Sequence, residues 1–70
     1  MKILSFYEFT QLSEIEQYNL VFEKGRLISS SLKGDIEFTL YELFNFYVEV
    51  AYHSKDNKVI NLNRYMKIQN

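Results

Sequence analysis

From Ile36 to Tyr52 the chain alternates apolar and polar residues with few breaks. Ile36, Phe38, Leu40, Phe44, Phe46, Val48, Val50 and Tyr52 fall on even positions, with Glu37, Thr39, Asn45 and Glu49 between them. Successive side chains of a strand point to opposite faces, so a period of two specifies β-structure with one face against a core. No other feature constrains the fold as strongly, and none specifies an activity.

Seventy residues make one domain, spanning 1–70. A chain this short buries roughly 60% of the surface it exposes when unfolded, so small domains usually add a disulfide, a structural metal or oligomerisation. The chain has no cysteine, and its single histidine cannot build a zinc site alone. No cofactor or metal is therefore expected, which leaves oligomerisation or an unusually well packed core. Six Tyr and six Phe are more rings than one small core needs, so some of them are expected near the surface. Eight basic and nine acidic residues, interspersed, give no electrostatic footprint for nucleic acid or an anionic membrane. Met1 to Phe9 lacks the apolar run of a secretory signal, and no stretch approaches the length of a spanning helix. The cytoplasm is the default setting.

Two capping boxes open the chain: Ser5 with Glu8, and Ser13 with Glu16. The first predicts a short helix from Phe6 to about Gln11. The second predicts a longer one, with Ile15, Tyr18, Val21 and Phe22 as its apolar stripe and Gly25 as a left-handed C-cap. Arg26 to Leu32 reads as an edge strand, Lys33-Gly34-Asp35 as a turn, Lys55-Asp56-Asn57 as a second turn, and Lys58 to about Met66 as a last strand. If even positions face the core throughout, each hairpin loop must hold an odd number of residues. Three-residue loops would then pair Leu32 with Ile36 and Tyr52 with Ile60, and would also pair Val50 with Leu62. Seventeen unbroken strand residues would span about 56 Å, far beyond an ordinary strand, and Glu42 interrupts the apolar face. A hairpin there would need an odd loop such as Tyr41-Glu42-Leu43, which holds no Gly, Asn or Asp to turn the chain, so a bend or bulge near Glu42 is expected.

The stretch Gly25-Arg26-Leu27-Ile28, followed by Leu40-Tyr41-Glu42-Leu43-Phe44-Asn45-Phe46-Tyr47-Val48-Glu49-Val50-Ala51-Tyr52, resembles a group of small uncharacterised bacterial proteins. These carry a glutamine-containing helix ending in Gly, followed by an LY-x-L-x-x-FYVEV-x-Y strand. The glutamine here would be Gln17, and the similarity runs over residues 6 to 66. The resemblance implies no activity.

Candidate chemistry is sparse. Glu37 and Glu49 share the odd face and could form an acid–base pair, but we read them as the solvated half of the alternation. Glu42 reads as structural, marking the bend or pairing with Arg26 or Arg64. His53 adjoins Ser54, but neighbours on a strand face opposite ways, so no nucleophilic arrangement is expected. Gly25 and Gly34 belong to no phosphate-binding loop. No catalytic residue is assigned, and the expected protein is not an enzyme.

The leading functional feature is the odd face, where Tyr41, Leu43, Tyr47, Val59 and Tyr65 gather opposite the helices. Tyrosine suits interfaces because it offers rigid area with a polar tip; it also lines half-wet sheets through β-propensity alone. A single-stranded nucleic-acid platform is the alternative, though such faces normally combine rings with clustered Lys and Arg. The expectation is an α+β domain, with one or two N-terminal helices packed on one face of a three- or four-stranded antiparallel meander. Its inner face would hold Ile28, Leu32, Phe38, Leu40, Phe44, Phe46, Val48, Val50, Ile60 and Leu62. The expected function is non-catalytic protein interaction or self-association, as in a homodimer.

Overall fold

Both capping boxes form. In the computed structural model, which describes residues 3–67, the Ser5 hydroxyl accepts the Glu8 N–H at 3.1 Å and the Glu8 carboxylate accepts the Ser5 N–H at 3.0 Å. This starts α1 (Phe6–Thr10). The same reciprocal pair between Ser13 and Glu16, at 3.2 and 3.3 Å, starts α2 (Glu14–Lys24). Each box satisfies two of the backbone donors that a helix start leaves unpaired.

Gly25 ends α2 differently from the left-handed cap expected. Its φ is −74°, ordinary for any residue. Glycine is needed there for space: a Cβ would lie 2.5 Å from the Val21 carbonyl oxygen, which accepts the Gly25 N–H at 2.8 Å. The missing side chain lets the backbone turn straight from helix into sheet.

Four strands follow as an antiparallel meander in the order β1 (Arg26–Lys33), β2 (Ile36–Leu43), β3 (Phe46–His53) and β4 (Lys58–Met66). With both helices on one face, this is the α+β fold expected. The connections differ from expectation, and the differences decide which residues face the core.

The first hairpin turns on two residues, Gly34 and Asp35, and pairs Lys33 with Ile36. The second turns on Phe44 and Asn45 and pairs Leu43 with Phe46. The bend expected at Glu42 is thus replaced by a complete hairpin two residues later. Gly34 and Phe44, the first residue of each turn, have φ of 61° and 56°. A positive φ there matches the right-handed twist of the flanking strands, and glycine normally supplies it. Phenylalanine in that region costs about 1–2 kcal/mol, so its side chain gives no sign that the chain turns.

A two-residue turn reverses parity. Odd residues of β2 therefore share a face with even residues of β3. Leu43 enters the core, and Phe38 and Leu40, expected inside, lie on the outer face with Ala51 and Glu49 as their register partners. The last connection holds four residues, with Asn57 at φ 52°, and Ile60 bulges out of β4. Val50 still opposes Leu62 as expected, but Tyr52 opposes Val59 rather than Ile60. A second bulge, at Ile28, interrupts β1.

The core cluster is Phe9, Val21, Leu43, Phe46, Val48, Val50 and Leu62. Phe9 reaches in from α1 to within 5.1 Å of the Phe46 ring, while Phe6 meets the same ring edge-on. Phe44 keeps a half-buried place beside Phe46. Ile28, Leu32 and Ile60 are exposed, as is Ile15 on α2. Of the expected stripe on α2, Val21 is buried, joined by Gln17, while Phe22 is exposed along with Ile15. Gln17 is fully satisfied: its amide donates to the Leu12 carbonyl at 2.9 Å, and its oxygen accepts Arg64 Nη1 at 2.8 Å. That bond ties α2 to β4.

Candidate interaction surfaces

Residues directly opposite in an antiparallel register share a face, so pairing sorts the side chains. The helix side holds Leu27, Ser30 and Leu32 of β1, and Glu37, Thr39, Tyr41 and Leu43 of β2. It continues with Phe46, Val48, Val50 and Tyr52 of β3, and with Val59, Leu62 and Arg64 of β4. The five tyrosine-face residues are therefore divided. Tyr47 and Tyr65 do face outward, directly opposite each other. Leu43 is fully buried, Val59 packs half-buried on the core, and Tyr41 meets the Phe22 ring. The cause is the parity reversal at Phe44, compounded by the Ile60 bulge.

Glu37 and Glu49 do not share a face either: Glu37 is on the helix side, while outward-facing Glu49 accepts from Asn63 at 3.3 Å. His53 and Ser54 serve the turns. The His53 ring nitrogen accepts the Asp56 N–H at 3.2 Å, and the Ser54 hydroxyl donates to the Asp35 carbonyl at 3.0 Å. No group of three or more His, Cys, Asp or Glu that could hold a metal occurs among the described residues.

The outer face has no layer of secondary structure over it among the described residues. At one end, Arg26 donates to Glu42 at 2.7 Å, and Lys67 donates to the second Glu42 oxygen while lying 5.5 Å from the Tyr47 ring centre. Arg64, the other partner considered for Glu42, is held on the helix side by Gln17. The bonds from Lys67 and Arg26 hold the Glu42 carboxyl below its ordinary pKa, and the Glu42 bond raises that of Lys67. Tyr47 and Tyr65 thus stand among Glu42, Glu49 and a committed lysine.

The helix side is only partly covered, because two short helices cannot span four strands. Beside α2 lies a groove of about 320 Å³, lined by Tyr18 and Phe22 of the helix and by Glu37, Thr39, Tyr41, Val50 and Tyr52 of the sheet. Ring centres of Tyr18 and Phe22 are 4.4 Å apart, and those of Phe22 and Tyr41 are 5.7 Å apart. Burial raises the Tyr18 phenol above its usual pKa, with Tyr52 and Tyr41 adding to the shift. Tyr52 donates its hydroxyl to Asn57 at 2.8 Å, which fixes one wall.

Next to the groove runs β1, hydrogen-bonded to β2 on one side only and exposed along all eight residues. Leu27 and Leu32 point to the groove side at 57% and 66% exposure, far more open than the half-buried Phe38 and Leu40 outside. The bulge at Ile28 limits the regular edge to Ser29–Lys33. Alternation alone could not reveal this surface, since it appears only once parity is known. Compared with known proteins, the chain matches no family model, no curated protein and no solved structure.

Proposed function

We propose that this protein is a non-catalytic interaction domain that takes up an extended segment of a protein partner, or a second copy of itself, on the β1 edge. The supporting observation is β1 itself: an exposed strand that carries Leu27 and Leu32, with one edge of backbone groups unpaired among the described residues. Such an edge is the template for β-strand addition, in which the main chain supplies affinity and alternate side chains supply specificity. Protein partnership and a cytoplasmic setting belong to the same proposal. A single-strand nucleic-acid role draws little support from an outer face that sets Glu42 and Glu49 beside its tyrosines.

The test combines size exclusion with light scattering across millimolar concentrations and amide-shift mapping with a blocked five-residue peptide of β-branched residues. A doubled mass, or peptide-induced shifts confined to Ser29–Lys33, supports the reading. A strict monomer whose β1 amides ignore the peptide refutes it.

A further inference from the structure

We infer that the groove beside α2 receives an organic cation, the ammonium or guanidinium group of a basic side chain on a partner strand paired with β1. This rests on the edge reading above and supplies the chemistry of the partner. Tyr18, Phe22, Tyr41 and Tyr52 gather around one small volume. Ring faces carry negative potential and attract a cation lying within about 6 Å of their centres.

Glu37 stands among those rings, half-buried, and has no hydrogen bond or ion pair among the described residues. A carboxylate left unpaired in a partly desolvated groove favours a cationic guest and disfavours an anionic or purely apolar one. No described residue neutralises it. The helix-side row across Glu37 runs Leu32, Glu37, Tyr52, Val59, and Arg64 on the same face is engaged by Gln17.

A route connects edge and groove. Ser30 opposes Thr39 on the helix side, a small residue between Leu27 and Leu32. An added strand would lie about 4.8 Å from β1 and so about 9.6 Å from β2. A lysine or arginine side chain passing over Ser30 reaches about 6–7 Å of that distance, which brings its head group to the β1 rim of the groove, the side lined by Glu37, Thr39 and Tyr41. A second copy pairing β1 to β1 would offer only Leu27, Ser30 and Leu32 to this face, none of them cationic, and its other edge, β4, offers as a cation only Arg64, which Gln17 already engages. The partner strand therefore comes from a different protein.

The test titrates the labelled protein with two blocked pentapeptides, Thr-Val-Lys-Val-Thr and its norleucine counterpart, following amide shifts. The lysine peptide is expected to bind about fivefold tighter and to shift both Ser29–Lys33 and the groove residues. In Glu37→Gln, which preserves shape and is checked for an intact spectrum, the preference should fall to about twofold or less. Equal affinity of the two peptides for the unaltered protein, or a full preference retained by Glu37→Gln, overturns the cation site while leaving edge binding standing. Failure of both peptides to shift β1 overturns the cation site too, and in a strict monomer it overturns the edge reading as well.

Discussion

Leu40 and Leu43 are the same residue type three positions apart on one strand, and the hairpin at Phe44-Asn45 sends them to opposite fates. Leu43 is fully buried among the core cluster, and Leu40 is only partly buried, on the outer face. Truncating a fully buried leucine to alanine costs about 2–5 kcal/mol, from lost transfer energy and the cavity left behind. A domain of this size has only about 3.5–10 kcal/mol of stability in total. Its unfolding entropy is about 150 cal/mol/K, so each kcal/mol moves the melting midpoint by about 7 °C. Leu43→Ala should therefore lower the midpoint by at least about 14 °C. Leu40→Ala, which removes a side chain that water already reaches, should cost under about 1 kcal/mol and less than about 7 °C. Thermal melts followed by far-ultraviolet circular dichroism on both variants decide the matter. If Leu40→Ala proves the more damaging, even positions face the core and the parity reversal is wrong.

Other consequences are measurable. Gly25→Ala drives a Cβ toward the Val21 carbonyl and should destabilise by about 1–3 kcal/mol in urea titration; a neutral result would mean that the helix exit relaxes freely. Gln17→Leu leaves Arg64 and the Leu12 carbonyl without their partner and should cost about 1–3 kcal/mol, with most of that loss absent when Arg64 is already Met. Phe44→Gly should change stability by less than about 1 kcal/mol, because relief of positive-φ strain offsets the lost half-buried ring. Glu42 has a folded pKa below its unfolded one, so its contribution is present above the ordinary carboxylate range and is lost as pH falls through the depressed value. Replacing Glu42 with Gln should flatten that acid limb in pH-dependent melts, and an unchanged limb would assign it to other carboxylates.

Much of the architecture was legible locally. Ser5–Glu8 and Ser13–Glu16 mark helix starts because capping is a matter of neighbouring residues, and the alternation marks strands because side-chain direction is fixed by the backbone. The turn at Phe44-Asn45 was not legible, because its positive-φ position holds Phe, which packs against Phe46, and its one turn-favouring residue, Asn45, reads as a polar member of the alternation. One hidden turn then moved Leu43 inward and Phe38 and Leu40 outward. It also separated Tyr41 from Tyr47 and Glu37 from Glu49. Bulges at Ile28 and Ile60 add an extra residue that no periodicity announces. The groove was invisible for the same reason, since it needs the corrected face of β2 against α2.

The Gln17–Arg64 bond joins positions 47 apart, whereas every strand pairs only with its neighbour in the chain. Hairpins close in about 1–10 μs because they bring together residues already near in sequence. The sheet can thus assemble by successive local steps, while locking the helix layer requires the last strand to be in place. Opening should run in reverse, with α2 lifting as a unit while β2 and β3 stay paired. Amide hydrogens of α2 should then exchange ahead of those in the central strands, making the helix layer the part of this protein with the shortest lifetime in its closed form.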